Sequence, residues 1–347
     1  MSFDRALLLL TGPYTHLDHL HVFGELLHIP IVVTDPQLAL LSQIFYPHVS
    51  AIYRSSALFS LDFFVQDVDL LIESGRLHKM EMDPFLRMLY GKQLRYAYCP
   101  HGNSDKGHSS KVHPEQDVVF FYGEEMRMHL LNIGAWQYIR HPIRMGNLRR
   151  ASYERNRQYY TSLVQEHILS HIDQNKPIAL FAPTWQDGEN PSSFFKEMHR
   201  VCTELSSFYT VIVKLHPLLE TFHYQEVLCA QRLYANKVLF LEHWPAIYPL
   251  IELCDIYIGD YSSMGYDFLS VNRPLYFFTG DRVQECSLHT SGMIIPKDVH
   301  LGHYIIDTKE DNQRIYEESR KSLYMHAFGN DVDPILLRRE LKEATLE

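Results

Sequence analysis

The feature that most constrains the fold is an alternation of apolar runs with segments of helical spacing between residues 178 and 281. Five runs are predicted to be strands: IALFAPT (178–184), YTVIVKLH (209–216), KVLFLE (237–242), DIYIGD (255–260) and PLYFFTGD (274–281). Continuous apolar strands separated by helices are typical of a parallel sheet that is covered on both faces. Five such repeats within about 110 residues predict a doubly wound domain.

The first half of the chain shows the same alternation, with strands predicted at Ala6–Leu10, Ile29–Thr34, Asp69–Ile72, Arg95–Cys99 and Asp117–Tyr122. A length of 347 residues also fits two ordinary domains. We therefore predict an α/β fold with two doubly wound, Rossmann-like domains that face a cleft. The predicted boundaries are 1–150 for the N-terminal domain, 151–330 for the C-terminal domain and 331–347 for a closing helix. The polar segment 151–176 is predicted to be one helix that joins the two domains.

Composition excludes several classes of protein. A hydrophobic content of 46% with 21% charged residues indicates a folded chain with a large core. The net charge of −10 argues against binding to nucleic acid or to an anionic membrane surface. The apolar run near the N-terminus is too short for a signal peptide or a membrane span. We expect a cytoplasmic protein with at most peripheral contact at the inner face of the membrane.

In doubly wound sheets, ligands bind outside the carboxyl ends of the strands, and the second half of this chain concentrates polar residues there. Thr184 ends one predicted strand, and Lys214 and His216 share one face at the end of the next. The segment GDYSS (259–263) stands where a buried strand gives way to a helix. Its serines can donate to a phosphate at the helix N-terminus, or they can simply cap that helix.

The first half carries one comparable segment, CPHGNSDKG, which places His101 just after a strand. Gly102 and Gly107 would let the backbone approach a ligand. A single histidine at a strand end is more often structural than catalytic. We keep His101 as a candidate site residue only because the other strand ends carry similar polar residues.

Other site chemistries have weaker support. The sequence has no GxGxxG after its first strand, no Walker loop, no GxSxG and no HExxH. The segment HLDHLH offers His16, His19 and His21 as possible zinc ligands. A polar loop or helix start is the preferred interpretation, because no matched carboxylate or cysteine neighbours them. We predict no metal and no cofactor.

The segments APTWQDG, KLHP and above all GDYSSMGYDFLSVNRPLYFFTGD resemble the signature of the CDP-glycerol glycerophosphotransferase family, the teichoic acid primases and polymerases. PHGNSDKG occupies the place of that family's first-domain HGT-PLK loop, and the resemblance covers about residues 95–285. It implies a GT-B-type fold and an enzyme of cell envelope polysaccharide synthesis. Such an enzyme transfers glycerol phosphate from CDP-glycerol to a hydroxyl of a glycan or lipid-linked acceptor and releases CMP.

The resemblance also implies roles for individual residues. His101 and His216 match the family's two functional histidines. His101 would deprotonate the acceptor hydroxyl, and His216 with Lys214 would steady charge on the diphosphate. The remaining donor-binding candidates are Thr184, Asp260, Ser262, Ser263 and Asp267. In these roles the serines hold phosphates, Asp260 orients a hydroxyl or an imidazole, and Asp267 orders the loop or touches the nucleotide.

Two departures from the family pattern leave alternatives open. The loop HGNSDKG lacks the family's Thr-Pro-Leu, and Gln186 stands where an arginine is usual, which removes one cation for the diphosphate. Another CDP-alcohol such as CDP-ribitol would fit the same pattern. A nucleotide-sugar glycosyltransferase or epimerase of the same architecture, or a non-catalytic nucleotide-binding relative, are further alternatives that the fold does not separate.

Overall fold

The computed structural model describes residues 3–74, 78–103, 115–185, 192–280 and 286–346. These residues form two compact units, each built on its own parallel sheet. One unit takes in the described residues up to Ser152 together with those from Ala327 onward, and the other is Tyr153–His326. The predicted α/β class with two parallel sheets is confirmed.

The first unit contains a seven-stranded sheet. Its strands are β1 (Ala6–Leu10), β2 (Ile31–Val33), β3 (Ala51–Tyr53), β4 (Leu70–Glu73), β5 (Arg95–Tyr98), β6 (Val118–Phe121) and β7 (His141–Arg144). The order across the sheet is β3-β2-β1-β4-β5-β6-β7, and every neighbouring pair is parallel. The sequence prediction missed β3 and β7, the two edge strands. Edge strands are only partly buried, so they lack the continuous apolar run that marks the inner strands.

Seven helices accompany the first sheet in the described part of the chain: α1 (Leu17–Leu27), α2 (Pro36–Phe45), α3 (Leu61–Asp67), α4 (Lys79–Tyr90), α5 (Glu124–Asn132), α6 (Leu148–Arg155) and α14 (Pro334–Leu346). The HLDHLH segment lies at the buried start of α1 and in the single turn before it. A buried ion pair fixes this region, since Arg149 donates to Asp18 at 3.1 Å. The Tyr46 hydroxyl donates to the other oxygen of Asp18 at 2.8 Å.

The second unit contains a six-stranded parallel sheet. Its strands are β8 (Ile178–Ala182), β9 (Thr210–Lys214), β10 (Leu239–Leu241), β11 (Ile256–Gly259), β12 (Leu275–Phe277) and β13 (Met293–Ile294). The order is β10-β9-β8-β11-β12-β13, so the winding reverses between β8 and β11. Such a reversal is the topological switch point at which open α/β sheets bind ligands. The sequence predicted five of these strands and missed the two-residue edge strand β13.

The described helices of the second unit are α7 (Arg157–His167), α8 (Ser193–Arg200), α9 (Pro217–Phe222), α10 (Tyr224–Tyr234), α11 (Ile247–Leu253), α12 (Met264–Phe268) and α13 (Leu301–Phe328). A π-helical turn, Val201–Leu205, extends α8. The prediction of one helix over 151–176 is wrong, because α6 and α7 are separate helices. The break falls at Asn156, whose ψ of 17° leaves the helical range. Asparagine favours such breaks because its side chain competes for backbone hydrogen bonds.

An apolar cluster covers one face of the second sheet. Phe181 of β8, Val213 of β9 and Ile258 of β11 are fully buried in it, together with side chains of α8 and α13. Burying one such side chain stabilises the fold by roughly 1.5–3 kcal/mol, so the strand ends rest on a rigid base. Of the helices that the structure describes, none has the length and apolar content needed to cross a bilayer.

Candidate active site

Neighbouring strands of the second sheet bring the predicted residues Thr184, Lys214 and Asp260 to one edge. Thr184 follows β8, Lys214 ends β9 and Asp260 follows β11, and β8 lies between the other two strands. The Thr184 N–H donates to Asp260 Oδ1 at 2.9 Å, which links the two strand ends at the switch point. The topology therefore places these three predicted residues at the same edge of the sheet.

The Asp260 carboxylate is only 1% exposed and is bonded to protein groups. Besides Thr184 N–H, it accepts Ser193 N–H at 2.9 Å and the Ser193 hydroxyl at 2.7 Å, both on Oδ2. Ser193, at the start of α8, is therefore one partner of this carboxylate, and the role expected for Asp260 in donor binding stays a prediction. Asp260 clamps the loop after β8 and the first turn of α8 to the end of β11.

The sequence analysis did not select Ser192 and Ser193. Ser192 caps α8 by accepting Phe194 N–H at 3.2 Å, and its hydroxyl donates to the Thr184 carbonyl at 2.5 Å. The available signal was the pair of serines just before an amphipathic helix, which is typical of an N-cap. Nothing in that signal points to Asp260.

Ser262 and Ser263 lie half-buried where β11 runs into α12. Ser263 stands at the N-cap position, but its side chain makes no capping hydrogen bond. Backbone bonds close this turn instead, from Gly265 N–H to the Ser262 carbonyl and from Tyr266 N–H to the Ser263 carbonyl, both at 3.1 Å. The purely structural interpretation of Ser263 as a helix cap is therefore not supported.

Gly259 is required because the Tyr257 side chain occupies the space beside it. A β-carbon at position 259 would overlap the Tyr257 hydroxyl and ring. Burial raises the pKa of Tyr257 well above its usual value, so the phenol stays protonated, and an interaction with Ser262 offsets part of that rise. The Tyr257 ring and the absence of a side chain at Gly259 together determine the backbone conformation that leads to Ser262.

His216 and Lys214 lie at the end of β9. Lys214 is 2% exposed, whereas His216 is half-buried. His216 Nδ1 accepts Leu218 N–H at 3.2 Å and so caps α9, which places the proton of the neutral ring on Nε2. The Trp185 ring lies 6.3 Å from the His216 ring, so the APTW and KLHP segments meet.

Asp267 lies inside the second unit. It is 2% exposed and accepts the Tyr248 hydroxyl at 2.9 Å, which fastens α12 to α11. The two roles expected for Asp267, ordering the loop and touching the nucleotide, both stay predictions.

His289 is a residue that sequence reasoning missed. Its Nε2 donates to the Asp260 carbonyl at 3.0 Å, and its ring packs against Phe277 and Tyr261 with centroid separations of 4.7 and 4.9 Å. It lies in the single turn Ser287–Ser291, which follows none of the predicted strands directly. Since its partner is a backbone carbonyl, no residue pattern could have indicated the contact.

In the first unit, His101 follows β5 and is exposed. Its ring stacks on that of His16 with a centroid separation of 4.6 Å and an interplanar angle of 18°. Gly102 has a φ of 135°, a backbone conformation that favours glycine. The part of this loop from residue 104 onward, including Gly107, and the departure at Gln186 lie outside the described residues.

His16 and His19 form a buried support beside His101. His16 Nδ1 donates to the Ser74 carbonyl at 3.1 Å. The Tyr122 hydroxyl donates to the Pro100 carbonyl at 2.8 Å and so accepts from His19 Nδ1, also at 2.8 Å. Burial first, and then the charge of Arg149, hold the pKa of His19 well below its usual value, so the ring is neutral. This chain of bonds fixes the backbone immediately before His101.

The family comparison matches mainly residues of the second unit. Residues 147–297 match the family model described as CDP-Glycerol:Poly(glycerophosphate) glycerophosphotransferase. The chain is 28% identical over 133 residues to the teichoic acid poly(glycerol phosphate) polymerase of Bacillus subtilis strain 168, covering 36% of this chain and 17% of that protein. It is 31% identical over 111 residues to the teichoic acid glycerol-phosphate primase of the same strain, covering 31% and 27%. The matched segments thus span less than a third of these relatives.

The fold as a whole is similar to that of the wall teichoic acid polymerase TagF. The TM-score is 0.69 at 16% identity, over 98% of this chain and 90% of that chain. A structure of a TagF variant soaked with CDPG gives a TM-score of 0.68 at 14% identity, over 98% and 89%. At these identities the likeness shows the fold, and it agrees with the GT-B-type architecture predicted above.

Proposed function

We propose that this protein is a transferase that uses a CDP-alcohol, because residues 147–297 match the model of the CDP-glycerol glycerophosphotransferase family. It moves glycerol phosphate, or a related polyol phosphate, to a hydroxyl of a glycan or lipid-linked acceptor and releases CMP. The observation that carries the proposal is the gathering of Lys214, His216 and the two serines around the Thr184–Asp260 link at the switch point.

In this proposal, the second unit binds the diphosphate of the CDP-alcohol. Lys214 supplies a cation, His216 an Nε2–H, and Ser262 and Ser263 supply hydroxyl donors, which are the groups that phosphate oxygens prefer. The CDPG soak of TagF supports this choice of donor. Asp260 and Asp267 would bind other groups of the protein and so hold the loops that carry these hydrogen-bond donors in place.

The proposed reaction is a displacement at the phosphorus that carries the glycerol. The acceptor oxygen forms a bond to that phosphorus while the bond to the bridging oxygen breaks, and CMP leaves with the electron pair. His101 takes the proton of the acceptor hydroxyl, since a neutral imidazole suits that role. Lys214 and His216 stabilise the charge that develops on the departing CMP.

The decisive experiment incubates the full chain, with candidate acceptors, against CDP-glycerol, CDP-ribitol and UDP-sugars. Acceptor-dependent CMP release is the expected result. UDP release from a UDP-sugar, without CMP release, would instead identify a nucleotide-sugar enzyme. Nucleotide binding without turnover of any donor would identify a non-catalytic relative.

Replacing His216 should weaken donor binding, and the choice of substituent separates its two roles. His216→Asn keeps a side-chain oxygen that can cap α9 but removes the ring Nε2–H. A hydrogen bond to a charged group is worth about 1.5–3 kcal/mol, so the Kd for CDP-glycerol should rise roughly 10- to 150-fold. Calorimetry gives the Kd, and a thermal scan checks the fold. His223→Ala, just after α9, is the control and should bind normally. An unchanged Kd in folded His216→Asn contradicts the assignment.

A further inference from the structure

Three side chains of the first unit that have no role in the proposed reaction converge. His21, Glu25 and His48 each offer one ligand atom, and these atoms all lie within 4.8 Å of one another. His21 and Glu25 are one turn apart on α1 and therefore share a face of that helix. His48 comes from the segment that joins α2 to β3.

Two imidazole nitrogens and one carboxylate oxygen are a ligand set that suits Zn²⁺. Zn–N bonds are about 2.0–2.1 Å long, so ligand atoms around a tetrahedral zinc lie about 3.3 Å apart. Adjusting the exposed His48 and half-buried Glu25 side chains would close the remaining distance. The exposure of His48 also gives an ion a path into the site.

The hydrogen bond of His21 Nδ1 determines the tautomer of its neutral ring. Its Nδ1 faces the Leu17 carbonyl at 3.3 Å, and because a carbonyl only accepts, Nδ1 carries the proton and the lone pair is on Nε2. Metal-binding histidines are typically fixed by such an outer hydrogen bond. The ring also stacks on Tyr46 with a centroid separation of 4.2 Å, which restrains its plane.

Nε2 of His21 lies 3.0 Å from the Ser152 hydroxyl, which donates to the lone pair that a metal would take. Binding would exchange this one hydrogen bond for a coordinate bond. We propose that His21, Glu25 and His48 form a structural Zn²⁺ site with water in the fourth position. The ion would fasten α1 to the segment between α2 and β3.

The proposal is tested on the full chain after dialysis against a chelator. Calorimetric titration should show one saturable Zn²⁺ site, Co²⁺ should give the visible absorption of a low-symmetry site, and Mg²⁺, which prefers all-oxygen ligands, should not compete. Zn²⁺ should also raise the melting temperature, because it binds the folded state selectively. None of these readouts depends on the proposed transferase activity.

Variants distinguish this site from weak binding to other histidines. His48→Ala, which removes an exposed ligand, should weaken Zn²⁺ binding by more than about tenfold, since even an outer-shell partner contributes ten- to a hundredfold. His171→Ala, an exposed histidine of the second unit, should leave it unchanged. Ser152→Ala should bind Zn²⁺ at least as tightly, because it releases the His21 lone pair. No saturable Zn²⁺ binding, or binding equally tight in His48→Ala and Glu25→Gln, would overturn the proposal.

Discussion

His101→Ala is expected to lower the rate of CMP release by about two to four orders of magnitude, the usual share of general-base catalysis. The Kd for CDP-glycerol should hardly change, because His101 belongs to the first unit and every proposed donor contact belongs to the second. The ring is exposed and stacked on His16, so its removal should leave the core intact. Single-turnover CMP release and calorimetry measure the two quantities separately.

The control for this experiment is His129→Ala, on α5 of the same unit, which should turn over normally. Melting temperatures of both variants show whether a loss of rate reflects a loss of fold. A purely structural His101 would lower stability and reduce rate and donor binding together. A folded His101→Ala protein that releases CMP at the wild-type rate would end its assignment as the base.

Asp260→Ala is expected to destabilise the protein by about 3 kcal/mol or more, because it leaves three buried donors without their acceptor. Those donors are the Thr184 N–H, the Ser193 N–H and the Ser193 hydroxyl. The loops after β8 and β11 would also separate, so CDP-glycerol binding should weaken strongly. Urea unfolding gives the stability change, provided that its slope is the same in both proteins.

Asp255→Ala is a matched control at the other end of β11. Asp255 is half-buried and accepts one backbone bond, from Ile178 N–H at 2.7 Å. Its loss should cost only about 1 kcal/mol and leave donor binding unchanged. Equal destabilisation by the two substitutions would contradict the clamp. A stable Asp260→Ala protein that fails to bind CDP-glycerol would point to direct contact between Asp260 and the donor.

The sequence determined the inner strands of both sheets and the edge at which the candidate donor site lies. Strands such as Ile178–Ala182 and Ile256–Gly259 are buried on both faces, so their apolar runs are unbroken and their polar ends stand out. Parallel order then requires those ends to share one edge, which is why Thr184, Lys214 and Asp260 could be grouped from the sequence. The half-exposed edge strands β3, β7 and β13 carried no such signal.

Only the tertiary structure decided the partners of these residues. Asp260 holds Ser193 from 67 positions away and Thr184 from 76, and His289 reaches its carbonyl from 29 positions away. The stacking of His16 on His101 and the approach of His48 to His21 likewise join distant segments. Periodicity in a sequence reports which face of an element is buried. The packing of whole elements decides which side chains meet across that face.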